Sequence, residues 1–188
     1  HLSEKTAEKS ALEYYAFKHP FFISIVVVVT VFQYFFGTPP FPVYAGLWGI
    51  SFWILVLLRK NSLDKLWFRW MLMLGGLYLI AYFDNMILLQ HTFDKILVLV
   101  LAILSIALGI TGLRYIKRSE IRLDFIKGFL IYFIIMEFLS LFLNLLDHFG
   151  ASKRLMVVGI LGMVLIILIR LTLEILYKMF SLSMEVFK

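Results

Sequence analysis

The sequence predicts an all-α fold: an integral membrane bundle of six transmembrane helices arranged as three hairpins, with the N-terminus and C-terminus both cytoplasmic. Three observations carry this. The 188 residues are 62% hydrophobic, 17% aromatic and only 16% charged, and the mean hydropathy of +0.95 is far from that of a water-soluble domain. The apolar residues form runs of membrane length, because about 20 helical residues cross a hydrocarbon core about 30 Å thick. Finally, the basic residues fall mainly on one side of the predicted membrane.

Residues 1–19 alternate charged side chains (Glu4, Lys5, Glu8, Lys9, Glu13) with apolar ones (Leu2, Leu12, Tyr14, Tyr15, Phe17) and read as an interfacial amphipathic helix or linker. The transmembrane region, 20–178, opens at Pro20. Its first span, 21–36, ends at Gly37-Thr38-Pro39-Pro40-Phe41-Pro42, where the prolines predict a tight reversal. The second span, 43–58, stops at Arg59-Lys60-Asn61. The third, 66–83, begins Trp67-Phe68-Arg69-Trp70, indole rings and an arginine suited to the headgroup level. A connector holding Gln90, His91, Asp94 and Lys95 follows. The fourth span, 96–113, carries Ala102, Ser105, Gly109 and Gly112, small residues that permit close helix approach. After the basic connector Arg114–Lys127, the fifth span is placed at 128–147 and the sixth at 155–177, with 179–188 as a cytoplasmic exit segment.

Lys and Arg then distribute unevenly. Three precede the first span, four lie from Arg59 to Arg69, five from Arg114 to Lys127 and three from Arg170 onward. Only Lys95, Lys153 and Arg154 lie on the other side, which by the positive-inside rule faces away from the cytoplasm. The net charge of +6 is therefore read as a topology signal, not as a nucleic-acid footprint. Without cysteine the chain has no disulfide, thiolate metal site or cysteine nucleophile. It begins His1-Leu2-Ser3, which reads as a segment of a longer protein.

Two constellations have chemical potential. On the fifth span, Glu137, Ser140, Asn144 and Asp147 are spaced to share one helical stripe. A carboxyl near mid-membrane is expected to face protein rather than lipid, so the stripe is read as a polar seam with the sixth span, completed by Arg170 and Glu174. Arg170 can reach toward Glu137 or pair with Glu174 one turn on. The second constellation, Asp84, Asn85, His91, Asp94, Asp147 and His148, gathers ligand types that a divalent ion accepts. Its spacings match no metalloenzyme signature, so no metal and no cofactor is assigned, and helix capping accounts for it. No phosphate loop, Ser-x-x-Lys, His-Glu-x-x-His or nucleophile elbow occurs, and the chain is read as non-enzymatic.

The second half also carries a resemblance. Asn144-Leu145-Leu146-Asp147-His148-Phe149-Gly150-Ala151-Ser152-Lys153-Arg154-Leu155, followed by a span closing Arg170-Leu171-Thr172-Leu173-Glu174, resembles the accessory transmembrane region of large members of the small-conductance mechanosensitive channel family. The resemblance covers roughly residues 120–178. It implies a lipid-facing tension-sensing paddle in a bacterial inner membrane, part of a larger channel chain that assembles as a heptamer. The family's Gly- and Ala-rich pore helix and cytoplasmic domain do not occur in this sequence. Membrane lipids and the rest of the channel chain are the implied partners, and nucleic acid is not. Two other readings stay open: the membrane sensor of a signalling protein, and a small transporter or intramembrane enzyme built on Glu137 and the His91, Asp94, Asp147 and His148 group.

Overall fold

The computed structural model describes residues 41–60, 64–86, 91–118 and 124–186. Five helices follow in order: α1 (Phe41–Leu58), α2 (Lys65–Met86), α3 (His91–Arg118), α4 (Asp124–Leu145) and α5 (Phe149–Val186). Four of them contain apolar stretches long enough to cross a membrane, Lys65–Met86, Thr92–Ile116, Phe125–Leu145 and Phe149–Glu174, and Phe41–Leu57 is a shorter apolar helix. The described chain is thus an all-helical, multi-pass membrane bundle. The expected interfacial segment 1–19 and first span 21–36 lie outside the described residues.

Most helix ends lie beyond the expected spans, whereas α4 stops at Leu145, two residues short of the expected 147, so that Asp147 lies in the turn and not on the helix. Helix and hydrocarbon-spanning run are different things, because a charged side chain can remain helical while its head reaches water or a partner. Pro42 therefore sits in the first turn of α1, not in a reversal, at a position where its missing N–H would have had no intrahelical partner. His91, Asp94 and Lys95 belong to the start of α3, and Arg114 to its end. Gly150 to Leu155 form the first turns of α5. The expected exit segment 179–188 is helical as far as Val186: α5 continues unbroken to that residue, and its 38 residues make a rod about 57 Å long.

Glycine sets the closest approach of each consecutive pair. On α1, a methyl at Gly49 would lie 2.7 Å from the Tyr78 ring of α2, whose hydroxyl donates to the Ala45 carbonyl. At Gly112 of α3 it would lie 3.0 Å from the Trp70 indole, and Trp70 Nε1 donates to the Leu108 carbonyl at 2.8 Å. At Gly109 it would meet Ile134 of α4 at 2.5 Å, and at Gly159 of α5 it would meet Glu137 Oε1 at 2.6 Å. Without a hydrophobic force between helices in lipid, such close backbone approach is what holds them. α5 is central and packs on all four other helices. Its buried row Met156, Ile160, Met163, Val164, Ile167 and Leu171 meets Phe52, Leu74, Leu101 and Phe133 in one core.

α4 is the peripheral helix. Only 28% of its apolar window is buried, against 44% for α5, and Ile131, Ile135, Phe138, Leu139 and Phe142 are exposed. It turns into α5 through Leu146, Asp147 and His148. There the His148 N–H donates to the Leu143 carbonyl (2.9 Å) and the Asp147 N–H to the Asn144 carbonyl (3.3 Å). This is a Schellman cap, with Asp147 in the left-handed position (φ 67°) that glycine ordinarily fills. The His148 carbonyl then accepts the first bond of α5, from Ser152 N–H at 3.1 Å.

Candidate functional site

Three polar assemblies occupy different levels of the bundle. The first lies where α2 ends and α3 and α5 begin. Lys153 Nζ donates to both oxygens of Asp94 at 2.9 Å and to the Asp84 main-chain carbonyl at 3.1 Å. It also stands 3.1 Å from Asp84 Oδ2, whose side chain is wholly buried. The Phe149 ring covers the ammonium from 5.9 Å. The local logic is electrostatic: an ammonium at a free C-terminal carbonyl of α2 and a carboxylate in the first turn of α3 each oppose the helix dipole they meet. Among the described residues, Asp84 accepts no hydrogen bond on either carboxyl oxygen, so Lys153 satisfies it by charge and not by alignment.

The second assembly is the α4 stripe. Ser140 and Ser152 exchange hydrogen bonds, each hydroxyl donating to the other's carbonyl at 2.9 and 2.8 Å. Asn144, fully buried, donates to the Lys95 carbonyl of α3 at 3.0 Å, and Asp147 pairs with the Lys95 ammonium. Glu137 is wholly buried, with its carboxyl on Gly159, and neither of its oxygens has a hydrogen-bond partner among the described residues. Ser105 of α3, also wholly buried and with no hydrogen bond on its hydroxyl among the described residues, lies at about the same level, because Gly109 faces Ile134 and Lys95 faces Asn144.

The third assembly is at the opposite end. Arg59 Nη1 and Glu174 Oε1 are 2.8 Å apart, with Arg170 in electrostatic range of both. Beside it Tyr115, Trp67 and Trp70 stack, the two indoles 4.7 Å apart and nearly parallel at 3°. The Tyr115 hydroxyl donates to Asp64 Oδ2 at 2.9 Å. Asp64 in turn gives its carbonyl to the first bond of α2, from Phe68 N–H at 2.8 Å.

The expected seam is therefore redistributed. Only Glu137 and Ser140 of the stripe face α5. Asn144 and Asp147 tie α4 to α3, and Glu174 reaches across to the end of α1, so the Arg170–Glu137 pairing is not formed. The reason is register: Glu137 lies opposite Gly159, about three helical turns from Arg170. Of the second constellation, Asp84 and Asp94 come together, whereas Asn85 and His148 are exposed. His91 is the first residue of α3, and its side chain lies outside the described residues. No group of three or more His, Asp or Glu placed to hold a metal occurs among the described residues.

Sequence reasoning missed Lys153 as the hub, because a basic residue at a span's end was counted only as a topology charge. The available signal was that Asp84 and Asp94 flank the adjacent reversal with few cations to meet them. Arg59 likewise reads from sequence only as the stop of the second span. Compared with known protein families, curated proteins and solved structures, the chain matches none.

Proposed function

We propose that this chain is a tension-sensing transmembrane module, the lipid-facing paddle of a mechanosensitive channel in a bacterial inner membrane. The observation that supports it most is the α4–α5 hairpin. Its lipid-exposed arm, α4, is joined by a three-residue capped turn to a central arm, α5, that runs on as one rod about 57 Å long. A force that bilayer tension applies to α4 thus has a stiff path out of the bundle. Tension thins and spreads a bilayer, and the cost of hydrophobic mismatch is small per ångström but accumulates over several helices. α1, about 27 Å long, is short enough to respond.

The orientation with the Arg59 end cytoplasmic follows from charge. Among the described residues that end carries exposed Lys60, Lys65, Arg69, Arg114 and Lys127, whereas the other end carries only exposed Arg154 and the paired Lys95 and Lys153, which meet Asp147, Asp94 and Asp84. Six spans with both termini cytoplasmic, and heptameric assembly with a pore supplied by the remainder of the chain, belong to the same proposal. The test is patch recording under suction from the parent channel with and without residues 1–178. A rise in gating tension on deletion supports the reading, and unchanged gating refutes it. The α5 extension equally suits a signalling connector, and a kinase or cyclase domain following Lys188 would replace the channel reading.

A further inference from the structure

The contact between α4 and α5 buries an acid without a counter-charge. Glu137 is wholly buried, and its Oε1 lies 2.6 Å from where a methyl at Gly159 would sit, so the glycine is what admits the carboxyl. Neither carboxyl oxygen has a hydrogen-bond partner among the described residues. The helices that pack on α4 are α3 and α5, and at this level both present uncharged side chains. Around Gly159, α5 offers buried Met156, Ile160 and Met163. Its nearest cations are Lys153, about 9 Å along the axis and engaged by Asp94 and Asp84, and Arg170, about 16 Å the other way beside Glu174 and Arg59. On α3, buried Leu101, Ala102, Ser105 and Leu108 surround the level, with Lys95 and Arg114 about 14–15 Å away along the helix. On α4 itself, Tyr132 is exposed and Lys127 is about 15 Å distant.

We propose that Glu137 is a proton-binding site, and that the bound proton clasps α4 to α5. With its proton the carboxyl is uncharged and can stay against Gly159. Ionised, it is a lone charge in an apolar contact, and water or an opposite charge has to stabilise it. The proton passes to water, and no other bond changes. The arm that yields is α4, the peripheral helix. Its polar ties at Ser140, Asn144 and Asp147 lie on one side of Glu137, whereas on the other side Ile126, Leu130 and Phe133 are held by apolar contact. Release of the proton therefore parts α4 from α5 at the Phe125 end and lets water reach the carboxylate. The two arrangements differ in proton affinity, so the linkage runs both ways: raising the pH favours the parted arrangement, and a force that parts the helices favours release. The surroundings select a proton over a metal ion, because a hard cation needs several oxygen ligands and this level offers apolar side chains with the single hydroxyl of Ser105. The site stands whether or not the module senses tension, since its ligand is a proton and its signature is spectroscopic.

The experiment is infrared spectroscopy of the chain in bilayers, in sodium and in choline buffers. At neutral pH the wild type is expected to show the carbonyl stretch of a protonated carboxyl, equally in both buffers, and Glu137→Gln is expected to lose that component. Spin labels at Phe125 and Ile169 follow the clasp by electron spin resonance. Both residues are exposed, and they stand at about one level of α4 and α5, because Glu137 meets Gly159 and Ser140 meets Ser152. Their separation should lengthen from neutral to alkaline pH in wild type and stay constant in Glu137→Gln. Identical neutral-pH spectra of the two chains overturn the site, as does a band confined to the choline buffer, which would mean that sodium takes the proton's place. A separation that stays constant in wild type, or lengthens equally in both chains, overturns the clasp. Should Glu137→Gln not fold, wild type carrying isotope-labelled glutamate decides: the band must shift with the label, and an unshifted band, arising from an aspartate, overturns the proposal.

Discussion

Lys153→Met isolates the most consequential electrostatic contact in the bundle. The substitution keeps a long apolar stem and removes one ammonium, which has Asp94 at 2.9 Å on both oxygens and Asp84 at 3.1 Å. Both acids are buried, the Asp84 side chain completely and Asp94 with 10% of its side chain exposed. Solvent therefore screens little of the interaction. Two carboxyls are then left together without a counter-charge, and breaking a buried pair from one side costs about 3–5 kcal/mol. For a bundle of this size that corresponds to a fall of roughly 6–20 °C in the thermal midpoint. The assay is thermal unfolding in detergent, followed by circular dichroism, at neutral pH. Combining Lys153→Met with Asp84→Asn and Asp94→Asn should recover most of the loss, because no unpaired charge remains. A Lys153→Met midpoint within about 2 °C of wild type would refute the reasoning: the ammonium would then contribute no more than an exposed pair, about 0–1 kcal/mol.

Three further tests address individual contacts and the backbone at the turn. Gly159→Ala places a methyl 2.6 Å from Glu137 Oε1 and should destabilise by about 1–3 kcal/mol; adding Glu137→Ala should remove most of that penalty in a double-mutant cycle. At Asp147, held at φ 67°, glycine relieves the backbone while alanine does not. Thermal stability should therefore rank Asp147→Gly above Asp147→Ala by about 1 kcal/mol, and both should lose the Lys95 pair. Arg59→Ala should loosen the α1–α5 contact at Glu174, a salt bridge with 10% and 38% of its side chains exposed. Faster hydrogen exchange at the C-terminal end of α1 is the measurement, with unchanged exchange as the contrary result.

Much of the architecture was legible because the hydrocarbon core imposes one length scale. Four of the five described helices contain the apolar run expected of them, α4 stops two residues short of its expected end at 147, and the small residues Gly109 and Gly112 do lie at helix contacts. The ends were less legible. Hydropathy marks where a chain leaves hydrocarbon, not where its backbone stops being helical, so Asp94, Lys95 and Gly150 to Arg154 read as connector although they are helical. Polar partners were the least legible part. The spacing Glu137-Ser140-Asn144-Asp147 gives a common stripe, but not which neighbour each member meets. α3 and α5 share that stripe, and the partners Lys95 and Ser152 follow only once register is known.

The distribution of these partners along α4 has a mechanical consequence. The polar ties described for α4, Ser140 to Ser152, Asn144 to the Lys95 carbonyl and Asp147 to Lys95, all lie in its second half, next to the capped turn. Its first half is held by apolar packing of Ile126, Leu130 and Phe133. Hydrogen bonds fix a geometry because they weaken steeply with angle, whereas apolar contact area changes gradually as surfaces slide and, in lipid, is replaced by tail contacts at little cost. A lateral force on α4 should therefore pivot it about its Asp147 end. Spin labels at Phe125 and Leu145, each paired with a reference label at Leu66 on α2, measure this by electron spin resonance distances in bilayers of decreasing thickness. The Phe125 distance is expected to change more than the Leu145 distance. An equal displacement of both would mean that α4 moves as a rigid part of the bundle, and would remove the hinge from the proposed mechanism.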